Sequence, residues 1–203
     1  MQTDLTNKLV GDSDVVKALT LNDFSMNASS AISTVIFTLF VIKQINGGTI
    51  AEVGISQLIF LGVSALLNVP LAKLLDKTKG YIDEGTVLAL SSVLRGISLM
   101  ILAFSHSIWE LYLYQALLGV ARSMDLTAWR VLFSKFLDMK KPAVQWATYD
   151  AVIAIGIGIA TVIAGYLGDT VPFSYVIFLA GVVSLLGALF PLFVFKELRV
   201  KSN

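Results

Sequence analysis

No cysteine occurs in this chain, and histidine occurs once, at His106. The first absence excludes a disulfide framework, a thiolate metal site and a cysteine nucleophile. The second excludes zinc motifs that need two histidines. Nothing in the sequence calls for a metal or a cofactor. Charge is also scarce, at 14% of the 203 residues, against about 25% in a soluble domain. The net charge of +1 gives no general attraction to nucleic acid. Catalytic patterns are missing as well. No Gly-x-Ser-x-Gly occurs, and His106 falls in a short turn, so membrane serine-protease chemistry has no base near a nucleophile. The chain reads as something other than an enzyme. Two channel signatures fail too: Asn68-Val69-Pro70 interrupts any Asn-Pro-Ala, and Pro70, Pro142 and Pro172 are followed two places on by Ala72, Val144 and Ser174 rather than an acid.

What is present is apolar sequence: 56% hydrophobic residues and a mean hydropathy of +0.80. A helical span needs about 20 mostly apolar residues. Six stretches qualify: Leu21 to Ile42, Val53 to Leu75, Thr86 to Phe104, Trp109 to Phe133, Val144 to Leu167 and Phe173 to Phe195. The last contains no charged residue, nor does Val152 to Leu167. Helices apolar all round are buried in a large core or in lipid, and a chain of this length cannot bury six. The expected fold is an all-α membrane protein of six transmembrane helices. Residues 1–20 form a polar tail, 21–196 the membrane domain and 197–203 a second tail. Asp4, Lys8, Asp12, Asp14 and Lys17 leave the first segment without the apolar core of a signal peptide. The connections are short, which puts consecutive spans side by side and antiparallel.

Lys and Arg set the expected orientation. Lys8, Lys17, Lys73, Lys77, Lys79, Arg130, Lys135, Lys140, Lys141, Lys196, Arg199 and Lys201 flank one end of the spans; the other has Lys43 alone. Both termini are therefore expected in the cytoplasm, with the protein multi-pass in the cell membrane.

Polar residues inside spans are the functional candidates. Asn27, Ser30, Thr34 and Thr38 follow at spacings of 3, 4 and 4 and share one face of the first span. That face either lines a watery cavity or bonds helix to helix. The fourth span carries Gln115, Arg122, Asp125 and Arg130, with Gln115, Gly119 and Arg122 on one face and Arg122 and Asp125 close enough to pair. Counted from the Lys-rich ends at 1.5 Å per residue, Arg122 lies about 18 Å deep, Arg95 about 16 Å, Asp125 about 13 Å and Asp150 about 10 Å. These four charges form either a network that locks the bundle or a site that meets a proton or an anionic solute. Gly156, Ala160 and Ala164 make a small-residue ridge for close packing. Trp109, Trp129 and Trp146 fit interfacial belts.

The hinge after the second span carries a family resemblance. Ala72-Lys73-Leu74-Leu75-Asp76-Lys77-Thr78-Lys79-Gly80-Tyr81 resembles the G-x-x-x-D-R-x-G-R-R signature of the major facilitator superfamily of transporters. Asp76 matches, Lys77 replaces Arg with another base, Ala72 stands for the first Gly and the second is displaced to Gly80. Gln115 to Gly119 resembles the end of R-x-x-Q-G in the family's fourth span, without the Arg. Gly156 to Gly165 keeps the small positions of G-x-x-x-G-P-x-x-G-G but has Thr161 for Pro, so antiport is not implied; Tyr166-Leu167-Gly168-Asp169 resembles the usual end of that span. The chain looks like one half of such a transporter, a half-size member. The resemblance implies a secondary transporter that moves a small solute by alternating access after pairing with a second six-helix unit, either another copy in a homodimer or a separate half. The alternative is a membrane scaffold or assembly partner that keeps the fold without transporting. It further implies a cavity lined by Asn27, Ser30, Thr34, Gln115 and Arg122, and a cytoplasmic gate at Asp76 and Lys77. Besides that second unit and the solute, the expected partner is the lipid bilayer.

Overall fold

The computed structural model describes residues 14–77, 82–137 and 141–193. Among these the chain is helical throughout: α1 Asp14–Gln44, α2 Ile50–Leu75, α3 Ile82–Leu102, α4 Ile108–Phe136, α5 Pro142–Thr170, α6 Phe173–Gly187 and α7 Leu189–Phe193. Five spans have the length and composition to cross a membrane: α1, α2, α3, α5, and α6 taken with α7. The sixth long helix, α4, is continuous, but Arg122, Asp125 and Arg130 interrupt its apolar run.

Helix α1 starts at Asp14, a full two turns before the expected boundary near Leu21. Val15, Val16, Ala18, Leu19 and Thr20 are buried, so much of the segment expected as a polar tail extends the first helix. Residues 197–203, the expected second tail, lie outside the described residues, as does most of 1–20.

Helix ends are fixed by local chemistry. Thr49 caps α2, its hydroxyl accepting the Glu52 N–H at 3.2 Å. Ser107 and Glu110 form a reciprocal capping box on α4. The Asn46 N–H donates to the His106 carbonyl at 2.8 Å, tying the α1–α2 turn to the α3–α4 turn. Gly47 makes that turn possible with a φ of +80°.

Consecutive helices are antiparallel, yet they are mostly not packing partners. The strong contacts are α2 with α4, α4 with α3, α3 with α6, α6 with α1 and α1 with α5. Of these only α3 and α4 are adjacent in sequence. The expectation that short loops make neighbours is corrected here. Exchanging α1, α2 and α3 with α4, α5 and α6 leaves this list of strong pairs unchanged, so the two three-helix halves share one pattern of main contacts. Helices α2 and α5 sit at opposite ends of this series, each with one strong seam. Along α2 only Ser56, Ser64 and Leu75 are buried. Several of its apolar side chains, among them Leu58, Leu66 and Val69, face outward.

Two apolar clusters hold the bundle. One joins Phe40, Val41, Ile45, Leu102 and Leu111 near the Asn46–His106 turns. The other joins Val15, Leu19, Leu75, Leu88, Trp129, Leu132 and Phe133. The second cluster gathers the ends that Lys17, Lys73, Lys77, Arg130, Lys135 and Lys141 flank, so these basic residues share one end. Trp129 is buried there rather than belted at an interface. Its indole donates to the Leu19 carbonyl at 3.2 Å and its ring stacks on Phe133 at 4.5 Å.

The last span was expected unbroken, but it divides at Ala188. Pro191 has no N–H, so the carbonyl four residues back, that of Gly187, loses its helical donor. Asn22 of α1 supplies a replacement. Its Nδ2 donates to the Gly187 carbonyl at 2.9 Å and to Ser92 Oγ at 3.0 Å. Ser29 Oγ donates to the Ala180 carbonyl at 2.8 Å, and Ser184 Oγ to the Ser92 carbonyl at 3.1 Å. The α1–α3–α6 junction is thus stitched by small polar side chains. Asn22→Ala is expected to cost about 1–3 kcal/mol, because it leaves buried acceptors unpaired. Thermal unfolding in detergent checks this, and an unchanged midpoint would refute the stitching role.

Candidate functional site

A cavity of about 360 Å³ opens between α1, α2, α3 and α4, with Ile177 of α6 at its back. Helix α1 contributes Asn27, Ser30, Ser33 and Thr34, and α4 contributes Gln115 and Arg122. The five residues expected to line a cavity therefore meet in one. Regular helix geometry is the reason: residues three and four apart share a face, and neither helix is broken over these positions. Thr38 lies outside the lining, where Phe37, Leu99 and Leu102 make the cavity apolar. Gln57 of α2 adds a polar group not anticipated from the sequence.

Arg95 reaches the same cavity from α3. Only 6% of it is exposed. One amino group donates to Ser30 Oγ at 2.6 Å, and Nε has no partner. Arg122 sits across the cavity, 3.6 Å from Asp125, the arginine side chain 41% exposed and the aspartate 2%. Asp125 keeps one carboxylate oxygen without a hydrogen bond.

A second hollow of about 340 Å³ adjoins the first on the side of Trp129. Asn27 and Arg122 line both and form the divide between them. Behind the divide are two carboxylates, Asp125 and Asp23. Asp23 accepts from Asn27 Nδ2 at 2.8 Å and from the Tyr149 hydroxyl of α5. The arrangement is polarised. Among the described residues no carboxylate lines the larger cavity, whereas two guanidinium groups do, and the acids lie behind them.

Asp150, expected in the charge network, is exposed on α5 and lines neither hollow. Asp23 occupies the place that was expected of it. The signal for Asp23 was in the sequence: Asp23, Asn27, Ser30 and Thr34 follow at spacings of 4, 3 and 4. It was hidden by placing the start of the span at Leu21, which made Asp23 a boundary residue. Gly156, Ala160 and Ala164 form a buried seam against α1, Gly156 lying under the Phe24 ring. Asp76 and Lys77 are exposed at the end of α2, where the Asp76 N–H closes the last turn onto the Ala72 carbonyl at 2.9 Å. The rest of the hinge, residues 78–81, lies outside the described residues.

Comparison with known proteins places this geometry. The family model of the Major Facilitator Superfamily matches residues 19–203. The tetracycline resistance protein, class B, of Escherichia coli is 27% identical over 142 residues, which are 70% of this chain and 35% of that protein. The matched stretch thus spans about a third of the length of that relative. Members of the family are transporters rather than enzymes, which agrees with the reading of the sequence. A match over nearly the whole chain, together with helices long and apolar enough to cross a bilayer, makes this a multi-pass membrane protein that belongs to the Major Facilitator Superfamily.

Proposed function

We propose that the chain is one six-helix unit of a secondary transporter in the cell membrane, with both termini in the cytoplasm. It carries a small solute through the cavity between α1 and α4 by rocking against a second six-helix unit. That unit is a second copy, another polypeptide or a further stretch of the same one. One observation carries the reading. The polar faces of α1 and α4 converge, with Arg95 and Arg122, on one cavity, and α2, which forms part of its wall, has a single strong seam in the bundle. Polar side chains and an arginine at membrane depth are costly unless they serve a watery path. In this reading Asn27, Ser30, Thr34, Gln115 and Arg122 line the solute path together with Arg95, while Asp125 and Asp23 set the charge behind it. Asp76 and Lys77 act as a gate at the cytoplasmic face, against the partner unit.

The resistance protein named above makes tetracycline the first solute to try. Purified protein in liposomes is expected to move tetracycline, or another small solute from a panel, faster than protein-free liposomes do. The particle in lipid nanodiscs is expected to weigh about two chains when the chain is expressed alone. A single chain per particle would argue against homodimeric pairing. A stable protein that moves no solute would favour a non-transporting scaffold.

A further inference from the structure

The cavity has a chemical asymmetry that says what kind of solute fits it. Arg95 is more than nine-tenths buried, reaches the cavity wall, and makes one neutral hydrogen bond, to Ser30. A guanidinium offers five donors in a planar fork. Here Nε is left without a partner, and no carboxylate lies within ion-pairing distance among the described residues. Arg122, the second guanidinium of the lining, is paired by Asp125 from behind. Both acids face the smaller hollow and neither lines the larger cavity. The larger cavity therefore presents two positive groups in its lining, amides and hydroxyls beside them, and apolar walls from Phe37, Phe60 and Leu99.

We propose that Arg95 is the receptor for an anionic group, a carboxylate or a phosphate, on the solute. This rests on the transporter reading and narrows it to organic anions with a small apolar body. The anion takes the guanidinium of Arg95 at the cavity wall as a two-point contact, the geometry in which guanidinium exceeds ammonium. Ser30 holds the fork from the other side. Arg122 strengthens the field, and Asn27 and Gln115 contact the neutral part. Without solute the Arg95 charge is incompletely compensated, which disfavours the empty cavity.

The test is ligand-dependent thermal stability of the purified protein in phosphatidylcholine nanodiscs. The probes are benzoate, phenylphosphate, benzamide and benzylammonium. At about five times its Kd a binding probe raises Tm by roughly 2–4 °C in a chain of this size. Benzoate or phenylphosphate is expected to do so, and the neutral and cationic probes are not. Arg95→Gln is expected to abolish the response, and Arg95→Lys to weaken it at least tenfold in apparent Kd. The Gln variant should also unfold no earlier than the parent when no probe is present, since a receptor awaiting an anion does not lock the bundle. Lack of response to either anion, an equal response to benzamide, or an undiminished response in Arg95→Gln overturns the proposal. So does a large loss of probe-free stability in Arg95→Gln, which marks a structural charge. Adding phosphatidylglycerol distinguishes a second source of the same chemistry. If that lipid stabilises through Arg95 while soluble anions do not, the site belongs to a lipid headgroup and the solute reading fails. Binding is read here without flux. An intact anion response with no transport refutes the transporter reading alone, and transport of benzylammonium that ignores Arg95→Gln refutes the anion reading alone.

Discussion

Arg122→Gln is expected to destabilise the bundle by about 2–4 kcal/mol and to stop transport, whereas adding Asp125→Asn restores most of the stability and none of the transport. The asymmetry of the pair gives the reason. Asp125 is 2% exposed and Arg122 is 41% exposed. Removing the arginine strands a carboxylate in the interior, and breaking a fully buried pair this way costs about 3–5 kcal/mol. The value here is set lower because Arg122 reaches the open cavity. Replacing the acid as well removes the stranded charge, so the two substitutions couple strongly in a double-mutant cycle. Transport does not follow stability, since the cavity has still lost one of its two positive groups. Chemical unfolding of the two single variants and the double variant, together with vesicle flux, separates the readouts. Additive stabilities would remove the pair from the structural account. Full flux in the double variant would remove Arg122 from the transport path.

The second large effect concerns two glycines that look alike in sequence. Gly181→Ala is expected to destabilise by about 1–3 kcal/mol, and Gly158→Ala to stabilise by about 0.5–1 kcal/mol. Helices α3 and α6 cross where Gly96 meets Gly181. A Cβ built on Gly181 would lie 2.7 Å from the Gly96 carbonyl oxygen and 3.1 Å from the Met100 nitrogen. These are backbone atoms, so the helices themselves must part. Parting them strains the nearby bonds from Ser29 to Ala180 and from Ser184 to Ser92. A Cβ on Gly158 meets nothing within 4 Å, so alanine there brings only its better helix propensity. Thermal unfolding of both variants checks the signs. A destabilised Gly158→Ala would mean that this face of α5 is covered by something else in the membrane.

Legibility of the sequence followed the range of each interaction. Faces of a helix are local, and the spacing of Asn27, Ser30 and Thr34, or of Gln115 and Arg122, was enough to collect them before any packing was known. The pairing of Arg122 with Asp125 is local for the same reason. Position along a helix was readable at a fixed rise per residue, and Arg95 and Arg122, counted to similar heights, line the same cavity. Direction around the axis relative to another helix was not. Asp150 and Tyr149 are neighbours on α5, yet it is Tyr149 that turns to Asp23 while Asp150 faces out. The helix start at Asp14 was missed because Lys17 and Asp14 argued for a tail, although Val15, Val16, Ala18 and Leu19 share one apolar cluster with Leu75, Leu88, Trp129 and Phe133. The break at Ala188 was signalled by Pro191. What Pro191 leaves open, the Gly187 carbonyl, is answered from α1, 165 residues away in sequence, and no local pattern reveals that. Interhelix partners such as α2 with α4 are equally non-local.

That pairing pattern also governs how the bundle is made. Helix α1 finds its main partners, α5 and α6, only after roughly a hundred further residues have been synthesised. This is a delay on the order of 5–20 s at 5–20 residues per second. Helix α2 likewise waits for α4. During the interval Asp23 lacks Tyr149. Early spans must therefore be sheltered by the insertion machinery, or by one another in non-native pairs, until the last third of the chain arrives. A ribosome stalled between α4 and α5 would hold α2, α3 and α4 already joined while α1 still lacked both of its main partners. Biogenesis of this chain thus runs closer to a single late assembly step than to the addition of one finished hairpin after another.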